Sequence, residues 1–115
     1  MLLAPGPAKK VTIHINEDTS SRSDYLSREI LSLLLREGVA GATLLRPEAG
    51  FGYHQRVHSQ EGGIDTAQHM PLRIEFVDMA QTVDRLMPPL MELLTDGMIE
   101  AHDTVILKAA VGRDR

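Results

Sequence analysis

Strict alternation of apolar and polar residues marks two segments of the chain. In segment 9–16, KKVTIHIN, the apolar residues are Val11, Ile13 and Ile15. In segment 71–78, PLRIEFVD, they are Leu72, Ile74 and Phe76. A period of two is that of a half-buried strand, so each segment is predicted to be a strand with one face in the core.

Two further segments are short apolar runs next to turn-forming residues. Segment 40–46, AGATLLR, begins two residues after Gly38 and contains one threonine and two leucines. Segment 103–109, DTVILKA, has Val105 and Leu107 on one side. Both are predicted to be strands.

A helical period separates the first two predicted strands. In DYLSREILSLLLREG, residues 24–38, the apolar positions Leu26, Ile30, Leu33 and Leu34 recur at steps of three and four, and Gly38 is a typical stop. This pattern predicts an amphipathic helix.

A second helix is predicted between the third strand and the last. Asp78 and Gln81 resemble a capping box, and apolar residues then recur at helical steps as far as Leu94. Pro88 and Pro89 each remove a backbone donor, so we expect a kink or a division of the helix there. Gly97 is expected to close the segment. Four methionines on or beside this helix are interpreted as core filler: Met79, Met87, Met91 and Met98.

The order strand, helix, strand, strand, helix, strand predicts an α+β, ferredoxin-like βαββαβ fold (split βαβ). We expect a four-stranded antiparallel sheet with both helices on one face. The domain occupies residues 9–109, between flexible tails at 1–8 and 110–115. The open sheet face mixes polar Thr12, His14, Arg73 and Glu75 with apolar Leu45 and Val77, which predicts a homo-oligomer. Arg73 and Glu75 are expected to form cross-strand or intersubunit ion pairs, or to line a ligand cleft.

Composition restricts the function. The chain has 115 residues, no cysteine and a net charge of −4. These features exclude disulfides and thiolate metal sites and argue against a nucleic-acid binder. No apolar run approaches the roughly 20 residues that a membrane-spanning helix needs, and the first residues do not resemble a signal peptide. We therefore expect a cytoplasmic protein without membrane insertion.

The segment RPEAGFGYHQRVHSQEGG, residues 46–63, interrupts this regular pattern. Gly50-Phe51-Gly52 forms either a small anion-binding nest or an ordinary turn after a strand. Arg46 and Arg56 either grip a phosphate or carboxylate or pair with acidic neighbours. The segment is the main candidate for a binding site.

Histidines in the same segment give an alternative function. His54 and His58 are about 13 Å apart if the chain is extended, too far to share an ion unless the loop folds back toward His69 or Glu61. The alternative is a metal-binding or ion-tolerance trimer; a metal site is not our prediction. No catalytic motif is present, so we expect a protein that is not an enzyme.

Several short stretches, in order, carry a resemblance to a known family: EGVAGATLLR, AGFG, MPLRIEFVD and LMELLTDGMI. Over residues 9–107 the chain resembles the PII-like proteins of the domain of unknown function 190, relatives of the nitrogen-regulatory PII signalling proteins. The resemblance implies a ferredoxin-like subunit, a trimer with its open sheet faces turned inward, a regulatory role without catalysis, and nucleotide clefts between subunits. Genes of this family are often found beside fluoride-channel genes, which suggests a membrane transporter or channel as the regulated partner protein.

The resemblance also implies where a ligand binds. Gly50, Phe51 and Gly52 match the turn at which a partner-binding loop, residues 50–63, begins, and Glu75 and Val77 match strand positions that line the nucleotide cleft. The predicted ligand-binding set, with an adenine nucleotide as the candidate cofactor, is completed by Arg46, Tyr53, His54 and Arg56. The chain departs from its relatives at Tyr53 and His54, which replace arginine and glutamine, and in TDGMIEAHD, which is acidic and has no lysine.

Overall fold

A computed structural model describes residues 3–16, 25–50, 58–59 and 70–112 of the protein. Two helices and six strands occur in these ranges. In chain order they are β1 (Gly6–Asn16), α1 (Leu26–Arg36), β2 (Thr43–Leu45), β3 (Ala49–Gly50), β4 (His58–Ser59), β5 (Pro71–Asp78), α2 (Ala80–Leu93) and β6 (Met98–Ile106).

Four of the strands form one sheet in the order β2-β5-β1-β6, with every neighbouring pair antiparallel. The long strand β1 lies at the centre, paired on one side with β5 and on the other with β6. This topology confirms the predicted α+β, ferredoxin-like fold.

The hydrophobic core lies between one face of this sheet and both helices. Val11, Ile13 and Ile15 of β1 are at most 4% exposed, as the alternation predicts. The other strand and helix residues of the core cluster are Leu26, Ile30, Leu33, Leu34, Leu72, Ile74, Phe76, Val83, Leu86 and Leu90. Because both described helices use this one face, neither of them covers the opposite face of the sheet.

Strand boundaries differ from those that the sequence predicts. β1 begins at Gly6, three residues before the predicted start, and Ala8 is buried. The last strand covers Met98–Ile106 instead of 103–109, so Leu107 lies beyond it and is 87% exposed. Pairing of β1 with β6, from Gly6↔Ile106 to His14↔Met98, sets both boundaries. Such long-range pairing is not visible in a local apolar pattern.

A second, two-stranded sheet was not predicted. β3 pairs with β4 through Ala49↔Ser59 and Gly50↔His58. Gly50 therefore lies in a short ribbon, where the sequence predicted the start of a loop.

Helix α1 has the predicted apolar face and the predicted end. Leu26, Ile30, Leu33 and Leu34 are all buried. The helix ends at Arg36, and Gly38 follows with φ of 83°, a left-handed conformation that glycine adopts without the steric cost of a Cβ.

The predicted capping box at the start of α2 is wrong. The N-cap residue is Met79, and it makes no side-chain cap hydrogen bond. The buried carboxylate of Asp78 instead accepts hydrogen bonds from the amide N–H groups of Met79, at 2.8 Å, and Ala40, at 3.2 Å. Asp78 thus ties the segment before β2 to the start of α2, because its two oxygens satisfy donors from both segments.

Of the kink or division expected at Pro88 and Pro89, the division of α2 is wrong, and the kink stays a prediction. The helix is continuous from Ala80 to Leu93 and contains both prolines. Leu86 and Leu90 lie on either side of them and are at most 1% exposed. Burial of these two leucines, about 3–6 kcal/mol together, is comparable with the roughly 6 kcal/mol that two prolines cost inside a helix.

The methionines do not all fill the core. Met87 packs against the core cluster. Met91 is 62% exposed and Met98 is 52% exposed, so the prediction is wrong for these two residues. Met98 belongs to β6 and lies beside the cleft described below.

Candidate functional site

A cleft of about 640 Å³ lies at one end of the four-stranded sheet. Four segments line it: the end of β1, the exit from β2, the start of β5 and the turn that leads into β6. The lining residues are 14–16, 45–47, 71–73 and 96–98. The cleft therefore lies where the chain leaves the sheet after β2 and returns to it at β5.

Sheet register explains why these segments meet. Leu45 is opposite Arg73, Arg73 is opposite His14, and His14 is opposite Met98. Directly opposed residues of antiparallel strands point to the same face, so these four side chains form one row across the open face. This row is one border of the cleft.

Gly97 lets the turn after α2 close onto the end of β1. Its φ is 131°, and a Cβ at this position would overlap the backbone oxygen of His14 and lie 3.1 Å from Ile15 Cγ2. Any other residue would be strained and would push the turn away from β1. The contact therefore shapes the wall formed by Asp96, Gly97 and Met98.

Gly50 has a similar role on the other side of the cleft. A Cβ on Gly50 would lie 3.1 Å from Cγ of Pro71, the first residue of β5. The ribbon strand β3 can thus approach the start of β5 closely. The glycine is explained by this packing and not by a left-handed turn.

Ion pairs cross the open face next to the cleft. Arg73 Nε lies 3.0 Å from Glu75 Oε2, and Lys10 Nζ lies 3.7 Å from the other oxygen of Glu75. His14 Nε2 lies 2.7 Å from Glu100 Oε2. The predicted ion pairing of Arg73 and Glu75 occurs within β5, with Lys10 as the cross-strand partner. Partly exposed pairs of this kind contribute only about 0–1 kcal/mol each, so their main effect is on the charge that the face presents.

The structure describes four of the nine predicted ligand-binding residues. Arg46 lines the cleft, whereas Gly50, Glu75 and Val77 are outside its lining. Val77 is six residues along β5 from Pro71, about 20 Å away in an extended strand. For Gly50, Glu75 and Val77 a ligand-binding role stays a prediction.

The remaining predicted site residues lie outside the described part of the chain. They are Phe51, Gly52, Tyr53, His54 and Arg56. The interpretation of Gly50-Phe51-Gly52 as an anion nest stays a prediction, and metal binding by His54, His58 and His69 stays the alternative.

Sequence analysis missed three lining residues that follow α2. Asp96, Gly97 and Met98 were interpreted as a helix end and core filler, yet they form one wall of the cleft. The only sequence signal was the glycine of TDGM, which fits a helix stop as well as a close backbone approach. The role of this turn depends on the pairing of β6 with β1.

The described ranges contain neither a group of metal-ligating side chains nor a membrane-spanning helix. Residues 3–16, 25–50 and 70–112 contain no group of three His, Asp or Glu side chains arranged to hold a metal ion. Neither helix of these ranges is long and apolar enough to span a membrane.

Residues 8–106 match the family DUF190, described as "Uncharacterized ACR". The chain is also similar in sequence to UPF0166 protein MJ1524 of Methanocaldococcus jannaschii. It is 28% identical over 102 residues, which are 88% of this chain and 93% of the relative.

Solved structures with the same fold are PII-like proteins. TTHA0516 of Thermus thermophilus, assigned as a PII-like signaling protein, has a TM-score of 0.65 at 17% identity, with 91% of this chain and 94% of that chain covered. CPII of Thiomonas intermedia is a nitrogen regulatory PII-like protein bound to ADP, AMP and bicarbonate. It has a TM-score of 0.63 at 20% identity, with 92% of this chain and 93% of that chain covered. At these identities the likeness establishes the fold. Since the family match extends over nearly the whole chain, this protein belongs to the DUF190 family and has a PII-like fold.

Proposed function

We propose that this protein is a non-catalytic, PII-like regulatory protein of the cytoplasm. In this proposal it forms a homotrimer, binds an adenine nucleotide in this cleft, which lies at the seam between subunits, and contacts a partner protein, a membrane transporter or channel, through residues 50–63. The nucleotide-bound state of CPII, which has the same fold, supports the choice of ligand.

The observation that carries the proposal is the position of the cleft. It joins residues 45–47, from which the chain leaves the sheet toward residues 50–63, to the turn at residues 96–98. A ligand held between these two segments can favour one conformation of the chain that follows Pro47. Regulation by a ligand requires such a difference in affinity between two states.

The size and lining of the cleft suit a mononucleotide. Its volume of about 640 Å³ is within the roughly 300–1,000 Å³ of small-molecule sites. Leu45, Pro47, Pro71 and Met98 offer apolar surface for a base, and Asn16 and Arg46 offer polar groups. An arginine beside apolar walls is a suitable partner for a phosphate group, because its guanidinium donates two parallel hydrogen bonds.

Calorimetric titration with adenine nucleotides tests this function. The wild-type protein is expected to bind at least one of AMP, ADP and ATP. Arg46→Ala should weaken that binding about tenfold to a hundredfold, since a hydrogen bond to a charged group contributes about 1.5–3 kcal/mol. The matched control is Arg36→Ala, because Arg36 is an exposed arginine at the end of α1 and is outside the cleft lining.

Two results would contradict the proposal. If no nucleotide at millimolar concentration gives a heat of binding or raises the melting temperature, the protein does not bind an adenine nucleotide. If the wild type and Arg46→Ala bind the nucleotide with equal affinity, the nucleotide site is not in this cleft. Metal binding by the loop histidines has no described contact in its favour and stays the alternative function.

A further inference from the structure

Arg73 lies on a strand that is paired along both of its edges. β5 is an inner strand of the sheet, and its register places Arg73 opposite Leu45 of β2 on one side and opposite His14 of β1 on the other. All three residues line the cleft. Such a strand holds its side chains more precisely than a loop does. The sheet therefore fixes the position of Arg73 in the cleft, whereas Arg46 follows the last residue of β2.

Glu75 contacts Arg73 from outside the cleft. Arg73 Nε lies 3.0 Å from Glu75 Oε2, and among the residues that the structure describes Glu75 is the acidic partner of Arg73. Arg73 belongs to the lining of the cleft, and Glu75, two residues further along β5, does not. A guanidinium has five N–H donors, one on Nε and four on the terminal nitrogens Nη1 and Nη2. A contact through Nε leaves the terminal nitrogens for a ligand.

The carboxylate of Glu75 is itself held in place. Its side chain is only 23% exposed, and its other oxygen, Oε1, lies 3.7 Å from Nζ of Lys10 on β1. Glu75 thus lies between cations on two adjacent strands. The side chain of Arg73 is 50% exposed, so a ligand in the cleft can reach it. An arginine that is already oriented loses less side-chain freedom when a ligand binds, and this increases the affinity.

We propose that Arg73 binds the phosphate group of the nucleotide and that Glu75 is a positioning residue, which orients the guanidinium of Arg73 without touching the ligand. The inference rests on the nucleotide function proposed above and adds residues that recognise the phosphate group. A guanidinium donates two parallel hydrogen bonds to phosphate oxygens, a geometry that lysine cannot provide. Glu75 acts on the ligand through Arg73, from outside the cleft lining.

Calorimetric titration with AMP and with adenosine tests the contact with the phosphate group. The wild type is expected to bind AMP more tightly than adenosine. Arg73→Ala should weaken AMP binding about tenfold to a hundredfold, because it removes hydrogen bonds to a charged group, and should leave adenosine binding unchanged. Arg73→Lys keeps the charge but loses the planar fork of donors, so it should recover only part of the AMP affinity.

Glu75→Asp tests the positioning role. Aspartate keeps the charge, but its side chain is one methylene shorter, which draws the carboxylate away from Nε of Arg73. AMP binding should weaken about twofold to tenfold, the cost of ordering a free arginine side chain on binding. In a protein that already carries Arg73→Ala, Glu75→Asp should have no effect on AMP binding, because the side chain that Glu75 orients is absent. The control is Glu92→Asp, since Glu92 is an exposed glutamate of α2 outside the cleft lining.

The outcomes separate this inference from the proposed function. If Arg73→Ala binds AMP as tightly as the wild type, Arg73 does not contact the phosphate group, and the inference is wrong while the nucleotide function stands. If Glu75→Asp leaves AMP binding unchanged, or weakens it equally with and without Arg73, Glu75 is not a positioning residue. If the wild type binds no adenine nucleotide, both the function and the inference are wrong. Melting temperatures show whether the variants are folded, and Arg73→Lys replaces Arg73→Ala in the comparison if the alanine variant unfolds.

Discussion

Gly97 is the residue whose conformation most directly shapes the cleft. It combines a φ of 131° with a position at which a Cβ would overlap the backbone oxygen of His14. Backbone cannot move aside as a flexible side chain can, so the turn itself would have to shift. The strain and the overlap act together at this position.

We predict that Gly97→Ala lowers the free energy of unfolding by about 2–4 kcal/mol, since left-handed strain costs roughly 1–2 kcal/mol and the overlap adds to it. Urea denaturation measures the change. Nucleotide affinity should fall as well, because the wall at residues 96–98 moves.

Two other glycines serve as controls for this substitution. Gly38 has φ of 83° with open space around it, so Gly38→Ala should cost only the strain of about 1–2 kcal/mol. Gly41 has neither constraint, and Gly41→Ala should stay within about 0.5 kcal/mol of the wild type. If Gly97→Ala and Gly38→Ala lower the free energy of unfolding equally, the overlap with His14 is relieved at no cost.

At the scale of single elements, α1 shows how sharply a helix divides into a buried and an exposed face. Leu34 is 1% exposed and Leu35, the next residue, is 81% exposed. One residue step turns a helix by about 100°, which takes Leu35 off the face that contacts the sheet.

We predict that Leu34→Ala lowers the free energy of unfolding by about 2–5 kcal/mol, because it leaves a cavity in the core. Leu35→Ala should change it by no more than about 0.5 kcal/mol, because alanine is a good helix former and no core contact is lost. Thermal and urea unfolding measure the stability of the two variants. If Leu35→Ala greatly lowers the free energy of unfolding, the side chain of Leu35 is buried in an assembly.

At the scale of the whole molecule, the uncovered sheet face is the surface with which we expect copies of the chain to associate. Thr12 lies near its centre, opposite Glu75 on one side and Glu100 on the other. Thr12 is only 7% exposed within the subunit, so an arginine there has to extend outward past its neighbours, and these two carboxylates lie beside it. A trimer that packs the same faces together would have to bury three such arginines close to one another.

We predict that Thr12→Arg dissociates the proposed trimer of 12.7 kDa subunits into folded monomers. Sedimentation velocity measures the mass, and circular dichroism checks that the fold is kept. Asp84→Arg, on the helical side of the subunit, is the control and should remain a trimer. A wild-type monomer, or a trimeric Thr12→Arg, would show that this face is not the interface.

Local sequence pattern was sufficient for the elements with a buried face. The alternation in β1 and β5 and the helical spacing of Leu26, Ile30, Leu33 and Leu34 identified core positions correctly. A buried face requires apolar residues at the period of its own secondary structure, so the pattern carries this information without knowledge of the partner. Order and type of these elements then led to the ferredoxin-like fold.

The sequence by itself thus determined the core and the fold class. It also singled out Arg46, which lines the cleft and whose ligand-binding role stays a prediction. Tertiary structure alone decided the length of β6, the continuity of α2 through its prolines, the hydrogen bonds of Asp78 and the inclusion of residues 96–98 in the cleft wall. Each of these depends on a contact between segments far apart in the chain, such as Gly97 against His14. A local pattern reports what one segment needs to bury, and it contains no information on which distant segment will lie against it.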